Sequence, residues 1–256
     1  SHQHGGSGHD EGRGLFDGIV GLILLIDLRR RTVSVPEEVT SETGLRVLGS
    51  WPETLVSGRQ VSPSVDSVLS LWLRFLEGEG NRRALMVAPI AAEDPSRSAI
   101  GALAHSLANA GRNTLLRDLD LAQPALHRPL RLDNSVGVAD VLRGEIDWKT
   151  AAVQWADSPL FVLPAGEGTQ DALSALARGD AGAMLSDMKN EVDVVLVNAP
   201  PLLCGAEAAA IAHDVDAAIL LVRRDESQMP QIVAARDQLA ALGIPVAGVL
   251  FLGMHD

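Results

Sequence analysis

The chain predicts an α/β fold in which a parallel sheet is covered by helices on both faces, in three layers. Apolar runs such as residues 192–197 and 217–222 are too continuous for strands with one wet face, and helical stretches separate them. Hydrophobic residues make up 46% of 256 and aromatic ones only 3%, which suits one sizeable aliphatic core.

Residues 1–14, rich in Gly, His and Ser, read as a flexible leader or an expression remnant. Residues 15–28 are apolar apart from Asp17 and Asp27, and Arg29, Arg30 and Arg31 follow. The uninterrupted apolar run, 18–26, is far below the roughly 18 residues of a membrane span. Two readings of 15–32 compete: the cytoplasmic end of a membrane helix with positive charge inside, or an amphipathic, partly buried helix. A single domain is expected over 33–256.

Within it, residues 36–41 open a short helical turn, and an apolar run at 45–48 is ended by Gly49 and Pro52. Val68, Leu69, Trp72 and Phe75 or Leu76 give 65–76 helical spacing. Residues 83–89 read as a buried strand and 98–110 as a helix with Gly111 just past its end. A second strand, 113–118, ends in Asp118 and is followed by Asp120. Further strands are expected at 160–164, 192–197, 217–222 and 246–251, with helices at 138–143, 171–189, 207–213 and 231–242. Ligands of such sheets sit at the carboxyl ends of the strands, so 89–98, 118–124 and 198–201 are expected to line one crevice.

The formal charge of −12 excludes a nucleic-acid binder, which must present basic charge to displace counterions. The single cysteine, Cys204, forms no internal disulfide, has no metal-ligand spacing around it and fits a reducing compartment. Tyrosine is absent, so the chain cannot use its own tyrosine as phosphoacceptor, nucleophile or acid. No Ser-His-Asp, Cys-His or paired-carboxylate arrangement stands out; Asp118 and Asp120, two apart, do not share a helix face.

The strand, loop and helix over 83–110 have the framework of a phosphate-binding loop without its chemistry. Such a loop wraps glycine N–H groups around phosphates and reaches them with a lysine ammonium. Here the loop holds neither residue: the only lysines of the chain are Lys149 and Lys189. A bias toward arginine explains the scarcity of lysine but not the loop, where a planar guanidinium is a poor replacement.

Pro36-Glu-Glu-Val, Gly44-Leu-Arg-Val-Leu-Gly, Leu115-Leu-Arg-Asp-Leu-Asp-Leu, Gly137-Val-Ala-Asp-Val-Leu-Arg-Gly, Leu163-Pro-Ala-Gly and Val194-Val-Leu-Val-Asn-Ala-Pro-Pro follow one another in a specific order. From residue 33 onward the chain resembles the cytoplasmic domain of bacterial tyrosine kinases of the polysaccharide co-polymerase type, relatives of the MinD/ParA P-loop ATPases. The resemblance implies a P-loop NTPase-like fold of the SIMIBI class. It places the family's Gly-Lys-Ser-Thr on Pro95, Ser96, Arg97 and Ser98, so the lysine position holds Ser96 and the Mg2+-binding hydroxyl position holds Arg97, a cation where a cation should bind. Asp118 and Asp120 match the acid pair of the second motif, whose arginine is replaced by Ala122. Asn198 stands where the third motif has aspartate, and Leu252 where an adenine-reading asparagine is usual. The oligomerisation helix maps to Asp66, Leu69 and Trp72, and the tyrosine-rich tail is missing.

Two readings of Arg97 stand side by side: an ion cluster with Asp118 and Asp120 filling the Mg2+-phosphate space, or a solvent-facing side chain with the acids capping loops. Arg117 either points into the crevice or snorkels from an edge. His127 and His213 are expected to be structural or exposed, and Trp51, Trp72, Trp148 and Trp155 core or interface anchors.

The leading expectation is a pseudokinase domain, without catalytic residues, cofactor or metal, that regulates or scaffolds exopolysaccharide or capsule assembly at the cytoplasmic face of the bacterial inner membrane. Its implied partners are a membrane polysaccharide co-polymerase and other assembly or export proteins, with a homo-oligomer left open. The alternatives are a divergent ATPase or tyrosine kinase using ATP and Mg2+, and nucleotide binding without turnover.

Overall fold

The computed structural model describes residues 31–52, 84–90, 97–155, 157–168, 170–178 and 180–254. The leader 1–14, most of the segment 15–32, the helix expected at 65–76 with Trp72, and Ser96 lie outside these residues. For Arg97 and Ser98 the backbone is described and the side chains are not.

Eight strands form one sheet: β1 (Val47–Pro52), β2 (Ala84–Pro89), β3 (Thr114–Asp118), β4 (Val153–Gln154), β5 (Leu160–Leu163), β6 (Val194–Asn198), β7 (Ala217–Arg223) and β8 (Val246–Met254), in the order β1-β8-β7-β2-β6-β3-β5-β4. All neighbours pair in parallel except β4 and β5, which are antiparallel. The expected parallel sheet therefore acquires one antiparallel edge. A two-residue strand is too short to leave a periodicity signal.

The described helices are α1 (Pro36–Thr43), α2 (Arg97–Asn109), α3 (His127–Leu130), α4 (Val138–Leu142), α5 (Trp148–Ala151), α6 (Gln170–Ala177), α7 (Asp180–Glu191), α8 (Glu207–Ala212) and α9 (Met229–Ala241). The single helical stretch expected at 171–189 is two helices, α6 and α7, with the poor helix former Gly179 between them in sequence. The apolar run at 45–48, with Gly49 and Pro52 as its end signals, enters β1, which includes Gly49 and ends at Pro52; Trp51, 2% exposed, is buried beside that end.

Both faces of the sheet are apolar, as parallel pairing requires. Leu85, Val87, Leu116 and Leu196 pack under Ile100, Leu103 and Leu107 of α2 and Leu130 of α3. Met86, Leu115, Val195 and Val197 face the opposite layer, built by α1 and α4 to α9 through residues such as Val138, Leu176, Met188, Ile211 and Ile232. Gly111, with φ of 82°, ends α2 in the left-handed region that favours glycine, and Arg112 N–H closes the turn on Leu107 O at 3.2 Å.

Arg31–Ser34 run against the turn after β7: Val33 N–H donates to Ser227 O, Asp225 N–H to Val33 O, and Met229 N–H to Arg31 O. From β2 the chain crosses to β3 through α2 on one face, and from β6 it crosses to β7 through α8 on the other. The carboxyl ends of β2, β3 and β6 therefore lie together at one end of the sheet.

Candidate functional site at the strand ends

Asp118 and Asn198, the last residues of β3 and β6, are register partners on adjacent strands. Strand alternation turns both side chains to the α2 face, alongside Leu116 and Leu196. Both are buried, at 0% and 1% exposure, and Asn198 Nδ2 donates to Asp118 Oδ1 at 2.7 Å. Asp118 Oδ1 also accepts from Asp120 N–H at 3.2 Å, and Asp120 Oδ1 accepts from Gln123 N–H at 3.1 Å. The acid pair is thus tied into its own loop, and Asp120 is 3% exposed.

Backbone bonds fasten the neighbouring loops. Leu119 N–H donates to Asn198 O, Ala199 N–H to Val87 O and Leu202 N–H to Pro89 O, at 2.8, 3.1 and 3.0 Å. The end of β2 and the segments after β3 and β6 therefore meet as expected, while 91–96 of the first expected segment lie outside the described residues. Leu252 lies in β8 opposite Arg223 and Trp51, packed into the α2-side core at 7% exposure, where its aliphatic chain offers no hydrogen bond to a base. Asp118, Asp120 and Asn198 are brought together; Leu252 sits at the end of a strand beyond β7. Ser96 and the side chains of Arg97 and Ser98 lie outside the described residues, so the Arg97 ion cluster has no observation on it.

Arg117 corrects both expectations made for it. It is fully buried on the opposite face from Asp118, with Nη1 at 3.8 Å from Met188 Sδ of α7, so it neither enters the crevice nor snorkels. Burial lowers its pKa to about 10, while the Asp214 carboxylate opposes that shift. Burial in turn raises Asp214 above the ordinary carboxylate value, against the pull of Arg117 and His213. Asp214 lies against Gly182 of α7, where an added Cβ would meet its Oδ1 at 2.4 Å.

A cavity of about 160 Å3 opens between the loops after β3 and β6, walled by Leu119, Leu121 and Ala122, by Leu173 and Leu176 of α6, and by Pro200 and Pro201, with Cys204 and Glu207 among its lining residues. Cys204 is exposed. The segment after β5 presses on this wall: a Cβ on Gly168 would meet Leu121 O at 2.2 Å. Sequence reasoning missed Glu207 and α6 as parts of this end of the molecule; the Asn198-Ala-Pro-Pro turn was the only local sign of it.

Trp51 and Trp148 are core anchors, the latter donating Nε1–H to Asp187 at 2.6 Å, and Trp155 donates to Leu130 O at 3.0 Å. His127 is half-buried in α3 and His213 is exposed. No helix among the described residues is long and apolar enough to cross a membrane.

The mostly parallel eight-stranded sheet covered on both faces has the fold of P-loop NTPase-like α/β domains. The solved kinase domain of the Escherichia coli tyrosine kinase ETK superposes with a TM-score of 0.77 at 19% identity, covering 87% of this chain and 95% of that one. The septum site-determining protein MinD from Pyrococcus horikoshii, solved with Mg-ADP, gives 0.58 at 19% identity over 66% of this chain and 69% of its own. The homologues of the chain are bacterial tyrosine-protein kinases. It is 22% identical to tyrosine-protein kinase wzc of Salmonella typhi over 93% of this chain, and 24% identical to putative tyrosine-protein kinase EpsB of Ralstonia solanacearum over 86% of it. The chain spans 36% and 32% of those relatives' lengths. No protein-family model matches.

Proposed function

We propose that this chain is a kinase-like domain without phosphoryl-transfer chemistry, serving as a regulatory or scaffolding part of bacterial exopolysaccharide or capsule assembly and export. In this reading it works at the cytoplasmic face of the inner membrane beside a polysaccharide co-polymerase, and holds neither nucleotide nor Mg2+. One observation carries the reading: Asn198 Nδ2 donates to Asp118 Oδ1 at 2.7 Å. A metal site at these strand ends needs carboxylates turned toward a hydrated divalent ion. Here an amide supplies no charge and occupies an oxygen of the neighbouring acid. Ser96 and Arg97, at the positions matching the family's lysine and Mg2+-binding hydroxyl, and the absence of tyrosine support the same reading from sequence.

Titration calorimetry with Mg·ATP and Mg·ADP tests it, and the expected outcome is no saturable heat in the micromolar range. Micromolar binding would overturn the loss of the nucleotide site. Turnover abolished by Asp118→Ala would establish the alternative, a divergent ATPase or kinase, which the retained pair Asp118 and Asp120 favours.

A further inference from the structure

Residues 31–34 lie as a strap across the turn that follows β7. Val33 N–H donates to Ser227 O at 2.9 Å, Asp225 N–H to Val33 O at 2.7 Å and Met229 N–H to Arg31 O at 3.1 Å, with Thr32 bridged antiparallel to Gln228. The Ser34 hydroxyl then closes on Asp225 Oδ1 at 2.5 Å. Charged groups tie into that bond from each side: Glu38 Oε2 accepts from Ser34 N–H at 3.0 Å, Arg224 Nε lies 3.2 Å from Asp225 Oδ2, and Arg31 Nη1 holds the strap to Glu42 of α1 at 2.7 Å. Asp225 has φ of 57°, in the left-handed region that a residue with a side chain keeps only where its surroundings hold it. Here the strap supplies a partner to both its N–H and its carboxylate.

We propose that residues 31–34 are a detachable strap that sets the turn after β7 and, through it, the grip of that turn on the end of β8. Arg224 stands next to Asp225, and its N–H donates to Leu252 O at 2.9 Å. Lifting the strap removes both of its holds on Asp225 at once. The φ of Asp225 then relaxes, and a rotation there swings Arg224 relative to the rest of the turn. The strap bonds and the bond from Arg224 to Leu252 therefore open as one unit, in a local opening that leaves the rest of the sheet paired. Leu252 is also the register partner of Trp51 in β1, so the unit reaches the edge of the sheet. Thirty residues of chain precede Arg31, and tension on them acts first at the strap. Neither nucleotide nor the bond between Asn198 and Asp118 enters the device, so it stands apart from the proposed function.

Amide hydrogen exchange of the 256-residue chain, read residue by residue by NMR as protection factors, tests it. Ser34→Ala removes the latch and is expected to lower the protection of Val33, Asp225 and Met229 about tenfold, as loss of a hydrogen bond to a charged group predicts, and that of Arg224 by the same factor. Leu119, whose N–H donates to Asn198 O between β3 and β6, is expected to keep its protection. Ser34→Thr retains the hydroxyl and is expected to match the parent. Asp225→Gly separates the two halves, because glycine keeps a left-handed turn without help. Val33 and Met229 are then expected to lose protection as in Ser34→Ala, while Arg224 keeps it. Arg224 unchanged in Ser34→Ala, or weakened equally in Asp225→Gly, would overturn the coupling, and strap amides unchanged in Ser34→Ala would overturn the latch. A matching loss at Leu119 would overturn both, as a weakening of the whole fold.

Discussion

Asn198 and Arg117 are buried polar residues whose value lies in their partners. Replacing Asn198 by Asp sets two carboxylates at hydrogen-bond distance in a site of 0 to 1% exposure, removing a donor and adding repulsion. Asn198→Asp is expected to lose about 2 kcal/mol of unfolding free energy at neutral pH. One of the two acids then titrates above its unfolded value. The variant's stability is therefore highest in acid and falls as pH rises through that raised pKa, and urea unfolding at pH 5 and pH 7.5 with and without Mg2+ measures both the slope and any rescue by the ion. Arg117→Ala is expected to cost about 3 kcal/mol or more, since it leaves Asp214 without its cation and opens a hole beside Met188. Asp214 already titrates above 3.8 in the folded chain, so its contribution weakens as pH rises through that region; without Arg117 the decline becomes steeper.

At the scale of elements, close backbone approaches and the α2 layer set the tolerances. A Cβ on Gly137, which precedes α4, would meet Pro164 O at 2.2 Å and Gly166 N at 2.4 Å, both backbone atoms. Gly137→Ala must therefore separate α4 from the segment after β5, and a loss on the order of 2 kcal/mol in thermal or urea unfolding is expected. On the opposite face, burial lowers the pKa of His105 in α2 and of His127 in α3. His105 meets Trp155 edge-on, with ring centroids 5.0 Å apart, and lies 3.0 Å from Asn109 Nδ2. A histidine held neutral by burial contributes stability above its unfolded value of 6.5 and loses it as pH falls below that value. Unfolding free energy is expected to decline below pH 6.5, with a shallower decline in His105→Gln.

The elements were legible where periodicity and end signals agreed. Gly111 marked the end of α2, and the apolar runs at β6, β7 and β8 could only be strands buried on both faces. What escaped was set by tertiary contact: β4 exists because two residues find β5. At the site, Asp118, Asp120 and Asn198 were readable as neighbours because they end strands or begin loops at the same edge of a parallel sheet. The bond between Asp118 and Asn198 was not, since two residues 80 positions apart leave no local pattern. Arg117 was misread because a charge in an apolar strand looks like an exposed position; only the packing of α7 shows that it is enclosed.

For the whole molecule, the short segment before α1 belongs to the body of the fold. Val33 is 1% exposed and exchanges backbone bonds with the turn after β7. A chain beginning at Val35 is expected to lose about 3 kcal/mol relative to one beginning at Arg31, from the buried valine and its bonds, lowering the melting temperature by roughly 5 to 10 °C. Scanning calorimetry of the two chains measures it, and equal midpoints would show that the segment is only laid on the surface.

The bond from Asn198 to Asp118 also bears on what the molecule can report. Donor and acceptor are both supplied by the chain, so the clasp between β3 and β6 requires no solute to close it and releases none on opening. On the proposed function, in which neither nucleotide nor Mg2+ is held, this pair of strands joined by its own amide keeps one geometry in a fed cell and a starved one.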